Sequence, residues 1–159
     1  MKHVSPQRIF FSQASLSVIL ALAILLAFAV CPAPASAQTI YKTINPEKLE
    51  AIMDKMDLKV SAEDNSVSWD INGKSVTIFI GPDEESIQFY CYWFDAVTRS
   101  KINDWNRTTR FSRAYLDDDG DPVLELDLDL VGGVTEARIQ DFIKTCYVSF
   151  KEFENRNIE

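Results

Sequence analysis

Residues 105–134 read WNRTTRFSRAYLDDDGDPVLELDLDLVGGV, and the order of residue types in this stretch decides the fold. Phe111 to Leu116 reads as one strand and Val123 to Leu130 as its partner, in which Leu124, Leu126, Leu128 and Leu130 alternate with Glu125, Asp127 and Asp129. Alternation with a period of two marks a strand with one face on a core and the other in water. The second strand is therefore expected to bury its leucines and expose its acids. Taking Asp117 to Asp121 as a five-residue turn sets Leu116 opposite Pro122, and counting back sets Ala114 opposite Leu124 and Arg113 opposite Glu125. Apolar groups then meet on one face and opposite charges on the other, which supports the hairpin.

On the C-terminal side, Gly132 and Gly133 free the backbone to turn. Thr135 can cap a following helix, and Glu136 suits its positive end. Ile139, Phe142, Ile143, Cys146, Phe150 and Phe153 recur at helical spacing, an aromatic stripe expected to cover a sheet. On the N-terminal side, Ile102 and Trp105 share one face of a short helix expected over 98–108. Asn106-Arg107-Thr108 within it fits a glycosylation sequon, a tripeptide frequent by chance. Earlier, Asn72-Gly73 is a two-residue hairpin signal, because both central positions of a type I′ turn need positive φ. Val67, Trp69 and Ile71 lead into it, and Val76, Ile78 and Ile80 return from it. Residues 46–56 form a helix with Leu49, Ile52, Met53 and Met56 on one stripe, capped by Asn45 with Pro46 in the first turn. Leu58 to Val60 opens the sheet.

Residues 87–94, IQFYCYWF, are apolar or aromatic at nearly every position. Such a run is a central strand with both faces at least partly covered. Ile87, Phe89, Cys91 and Trp93 share one face; Gln88, Tyr90, Tyr92 and Phe94 share the other. Tyrosines suit a half-wet surface, so Tyr90, Tyr92 and Phe94, with Phe79 from the neighbouring strand, are the candidate partner-binding residues. The alternative is that loops of the same chain cover that face.

The chain opens like an export signal: Lys2 and Arg8, an apolar run from Ile9 to Val30, then Ala35-Ser36-Ala37 before Gln38. Residues 1–37 are read as a cleaved signal and 38–159 as one domain, in a periplasmic or secreted protein with no membrane role after cleavage. An uncleaved anchor is the second reading. A lipoprotein modified at Cys31 is the last, because bulky Val30 precedes that cysteine. Cleavage removes two of the 16 basic residues and none of the 24 acids, leaving a net charge of −10. So acidic a surface repels nucleic acid. It also removes His3, the only histidine, which excludes Ser-His-Asp and Cys-His catalysis and histidine-ligated zinc from the mature chain. Cys91 and Cys146 remain. An exported protein can oxidise them, and a bridge would close a loop of about 55 residues worth roughly 4 kcal/mol; two buried, inert thiols are the alternative.

Several positions in one block carry a family likeness: Trp105-Asn106, then Arg110-Phe111-Ser112-Arg113-Ala114-Tyr115-Leu116, then Asp119-Gly120-Asp121-Pro122-Val123-Leu124 and Asp127-Leu128-Asp129-Leu130. They resemble the YbjN family, described as regulators of bacterial sensory transduction. The resemblance implies the fold of type III secretion chaperones, small acidic proteins that often dimerise and bind protein segments rather than catalyse. It brings no catalytic residue to carry over, and no metal or cofactor is expected. Those chaperones act in the cytoplasm, so the export signal is a departure. The fold class expected is α+β, a single domain ordered α-β-β-β-α-β-β-α, with a mostly antiparallel sheet packed by helices. Trp105, Arg113, Gly120, Glu125, Gly132 and Gly133 are its structural residues.

Three clusters invite chemistry. Asp117-Asp118-Asp119-Gly120-Asp121 suggests calcium, but the spacing is not that of an EF-hand, and a hairpin tip explains the same residues. Glu125, Asp127 and Asp129 lie at separations of about 7 Å on one strand face, which a glycosidase can use; they are also what a half-buried strand shows to water. Arg107, Arg110 and Arg113 are either counter-charges for these acids or a basic patch. The reading favoured is a non-catalytic module that binds a protein partner, a peptide segment or a second copy of itself, chaperone-like or regulatory in sensory or stress signalling. A carboxylate-based hydrolase and a small-ligand binder are the alternatives.

Overall fold

The computed structural model describes residues 38–158. The export segment, its cleavage site and Cys31 lie outside the described residues. In chain order the elements are β1 (Ile40–Tyr41), α1 (Pro46–Asp54), β2 (Val60–Glu63), β3 (Ser66–Ile71), β4 (Lys74–Ile80), β5 (Ser86–Tyr92), α2 (Arg99–Thr108), β6 (Arg113–Leu116), β7 (Pro122–Asp129), β8 (Val134–Thr135) and α3 (Glu136–Asn157). Among the described residues this is an α+β fold: three helices and a six-stranded antiparallel sheet ordered β2-β3-β4-β5-β7-β6. β1 and β8 form a separate two-stranded ribbon.

Local chemistry sets the ends of these elements. The Asn45 side chain accepts the Lys48 N–H at 3.1 Å, and Pro46 follows where a helix has no use for an N–H. Thr98 and Thr135 cap α2 and α3 in the same way, accepting from the Lys101 and Arg138 N–H groups. Asn72 and Gly73 have φ of 55° and 83°, the paired positive values that turn β3 into β4 in two residues. One strand more than expected lies between α1 and α2, because Val60–Glu63 pairs along its whole length, from Val60 opposite Trp69 to Glu63 opposite Ser66. Only Val60 and Ala62 point inward there, and both stay half-buried, so the sequence offers little contrast between the strand's two faces.

All three helices serve one face of the sheet. Val67, Trp69 and Ile71 of β3, Val76, Ile78 and Ile80 of β4, Ile87, Phe89 and Cys91 of β5, and Leu124, Leu126 and Leu128 of β7 are buried there. Against them lie Leu49, Ile52 and Met53 of α1, and Phe142, Ile143, Cys146, Phe150 and Phe153 of α3. Each large side chain so buried contributes about 1.5–3 kcal/mol. The aromatic stripe of α3 interlocks with two tryptophans. Trp93 stacks on Phe150 at 5.4 Å and meets Phe153 at 5.0 Å, while Trp105 meets Phe153 edge-on at 5.0 Å. Trp105 also donates its indole N–H to Ser112 at 3.2 Å, tying α2 to the lead into β6.

The segment before α1, expected as an unstructured lead, is pinned by β1 against β8. Gly133, at φ 95°, must be glycine here: a Cβ would lie 2.5 Å from the Ile40 side chain. Next to it the Glu136 carboxylate accepts from Lys55 at 2.8 Å and from the Tyr41 hydroxyl at 3.1 Å. The Lys55 ammonium holds Glu136 below the usual carboxylate range. Gly120 and Gly132 also take positive φ, at the hairpin tip and at the turn into β8.

Cys91 and Cys146 are free, buried thiols, so of the two cysteine alternatives the structure has the unbridged one. Burial pushes the Cys91 thiol up to about 12 and Cys146 well above its ordinary value. Both are held as inert apolar filler. Among the described residues no helix is long and apolar enough to cross a membrane.

Candidate functional site: the uncovered face of the sheet

Among the described residues, the other face of the sheet carries no helix. Opposed residues of adjacent strands share a face, so the register assembles it directly: Ser68 with Thr77 and Tyr90, then Tyr90 with Glu125 and Arg113, and Tyr92 with Val123 and Tyr115. A continuous ladder of rings runs along it. Phe79 meets Tyr90 at 5.9 Å, Tyr90 meets Tyr92 at 6.1 Å, and Tyr92 meets Phe94 edge-on at 5.1 Å. The Lys74 ammonium lies 5.3 Å from the Tyr92 ring centre and 6.0 Å from that of Phe94, within reach of cation–π attraction. Phe79 and Tyr92 are each 40% exposed and Phe94 is 79% exposed. The four aromatic residues named from the sequence are thus brought together. β5 ends at Tyr92, so Phe94 stands just past the strand.

Beside the rings sits a polar knot in which Arg113 meets Glu125 as expected but the acid is not in water. Glu125, expected in water with Asp127 and Asp129, is only 5% exposed. Tyr115 donates its hydroxyl to one carboxylate oxygen at 2.7 Å, and Arg113 donates to the other. The two long side chains of edge strand β6, with Tyr90 on the opposite flank, close over the shorter acid and dry it. The Arg113 guanidinium also lies 5.6 Å from the Tyr115 ring centre. Burial, then the bond to Glu125, pushes the Tyr115 hydroxyl up to about 12; burial, followed by the charges of Asp117 and Glu125, raises Tyr90. Val123, between Tyr92 and Tyr115, is fully covered by them. The other two acids of β7 are exposed as expected, and Gln88 donates to Asp127 at 2.9 Å.

The counted hairpin register is the observed one, from Leu116 opposite Pro122 to Arg113 opposite Glu125. β6 is shorter than expected, since Phe111 takes φ 69° and turns the chain away before Arg113. The aspartate tip is turn chemistry: Asp117 accepts the backbone N–H of Asp119 at 3.1 Å and of Asp121 at 2.8 Å. The three arginines are not gathered. Arg107 pairs with Asp104, Arg113 with Glu125, and Arg110 lines a groove beside Phe111 and Val148.

Three contributors were given no role at the site from the sequence. Tyr115 was within reach, because the counted register already gave it the parity of Arg113 and Glu125. Lys74 carries no signal beyond its place after the turn. Asn106 stands out in the sequence as part of a sequon and of the family block, and its side chain serves the fold. Its amide donates to the Ala114 carbonyl at 2.8 Å and accepts the Ala114 N–H at 2.9 Å. One side chain thereby occupies both outward backbone groups of an edge residue, and a glycan on that nitrogen would displace it.

A family model described as "Putative bacterial sensory transduction regulator" matches residues 45–156, which includes every element of this face. The chain belongs to the YbjN family. Among solved structures it is similar to YbjN from E. coli, described as "a putative transcription regulator", at 15% identity and TM-score 0.58 over 70% of this chain and 89% of that one. It is also similar to a chain of the ExoT–SpcS complex of Pseudomonas aeruginosa, a type III secretion chaperone complex, at 13% identity and TM-score 0.51 over 65% of this chain and 91% of that one. At these identities the likeness speaks to the fold, which YbjN shares with the secretion chaperone. No curated protein sequence matches significantly.

Proposed function

We propose that this protein is an exported, non-catalytic protein-binding module, chaperone-like or regulatory in sensory or stress signalling. It engages its partner through the uncovered sheet face at Phe79, Tyr90, Tyr92 and Phe94. The observation that carries this reading is the aromatic ladder on a face that no helix of the described residues covers. Monomeric domains rarely leave a contiguous apolar patch unused, and aromatic side chains are the commonest anchors of protein interfaces. Family membership and the fold shared with a chaperone complex support a binding role. Export rests on the N-terminal segment 1–37. The acids of β7 do not favour a hydrolase, because Glu125 is held by Arg113 and Tyr115 and Asp127 by Gln88.

The test is affinity capture from the exporting compartment, comparing the full chain with the Tyr92→Ser, Phe94→Ser double variant. A specific partner should be recovered by the first and lose about thirty-fold in affinity in the second, the scale of one interface hot spot. Circular dichroism should show both folded. A strict monomer in sedimentation with no partner recovered, or a partner held equally by both chains, overturns the reading.

A further inference from the structure

The far edge of β7 is closed for only half its length. β6 pairs with it from Pro122 to Glu125 and stops, so among the described residues Leu126 to Asp129 have β5 on one side and no strand on the other. Which backbone groups face this gap follows from two bonds. The Trp93 N–H donates to the Pro122 carbonyl, and the Leu130 N–H donates to the Glu85 carbonyl. Antiparallel bonding alternates along a strand, so Leu124, Leu126 and Leu128 exchange their bonds with β5. Val123, Glu125, Asp127 and Asp129 therefore turn their N–H and C=O groups to the other side. Asn106 corroborates the parity, since it bonds the outward groups of Ala114, the residue opposite Leu124. Tyr115 and Arg113 stand opposite Val123 and Glu125. Among the described residues no backbone group is bonded to Asp127 or Asp129 on that side. The gap opens into a cavity of about 460 Å³ that Phe111, Leu126, Asp127, Arg138 and Phe142 help to line.

We infer that this half-edge is a second binding site, distinct from the aromatic face, which accepts an extended segment of a partner protein as an added strand in which basic and apolar residues alternate. Bare backbone groups supply the mode of binding, and charge selects the occupant. A second copy pairing through the same edge would set Asp127 and Asp129 against the identical acids, and like charges directly opposed are unfavourable. A lysine or arginine opposite either acid repeats the relation of Arg113 to Glu125. An apolar residue opposite Leu126 faces the same way as Ala114 and enters the cavity over Phe142.

The test uses two short synthetic peptides with blocked ends, one alternating lysine with valine and one alternating glutamate with valine. The lysine peptide should bind the full chain about five- to ten-fold more tightly, the scale of one or two cross-strand charge pairs. On binding it should slow amide exchange at Asp127 and Asp129 and leave Leu126 and Leu128, already bonded to β5, unchanged. Asp127→Lys with Asp129→Lys should invert the preference, and N-methylation of the peptide's bonding amides should abolish binding. Equal binding of the two peptides, binding of neither, protection elsewhere, or a preference that survives the charge reversal overturns the inference.

Discussion

The two faces of one sheet end differently although the same strands build both. Along β5, Phe89 and Tyr90 are neighbours in sequence; Phe89 is wholly buried beneath the helices, whereas Tyr90 lies under nothing but its own neighbours in the ladder. The inner face is closed by distant parts of the chain and can be purely apolar. Among the described residues, the outer face is closed only by side chains rooted in the sheet itself, so it relies on amphipathic rings, a cation over those rings and a buried carboxylate. A surface of that kind is tolerable in water and also ready for a partner.

The largest effect expected from breaking this contrast is on the inner side. Phe89→Ala should cost about 3–5 kcal/mol in chemical denaturation, the range for an aromatic lost from a packed core, and a cost under about 1 kcal/mol would mean that the helices do not seal that face. Next comes the polar knot. Glu125→Gln should cost about 1–3 kcal/mol, because a buried site loses a charge-assisted acceptor. Arg113→Ala should cost at least as much, because it leaves the Glu125 carboxylate, whose side chain is only 7% exposed, without its counter-charge. A cost under about 1 kcal/mol, the scale of an exposed ion pair, would show that water reaches the acid.

The smallest effect is confined to alkaline solution. Tyr115 is raised from its ordinary value near 10 to about 12, so the folded state holds that proton more tightly than the unfolded one. Its contribution to stability is complete below pH 10 and is lost as pH rises from 10 towards 12. Absorbance titration of tyrosinate should show a late step that Tyr115→Phe removes. An unchanged titration would detach Tyr115 from Glu125.

How much of this was legible in the sequence follows from how local the cause is. The β6–β7 hairpin was countable because turn length and charge matching both act within a dozen residues, and the α3 stripe and the Asn72-Gly73 turn are equally local. β2 was seen only at its start because half-buried valine and alanine give weak contrast. The β1–β8 ribbon was missed because Gly133 meets Ile40 across most of the chain. Glu125 was misplaced for a related reason: strand parity says which face a side chain takes, but whether that face is wet depends on the length of its neighbours. The rings of the candidate site could be named from composition. Their exposure could not, since it depends on every helix having gone to the other side.

The strand order also bears on how quickly the chain finds its structure. β2 through β5 form a meander in which each strand pairs with the next across a short connection. β7, by contrast, must meet β5 after α2 and β6 have been threaded past, bringing Tyr90 to Glu125. Closing the larger loop costs more chain entropy before any contact repays it. Docking of β7 is therefore the expected slow step, and until it occurs the apolar inner side of β5 stands at an open edge.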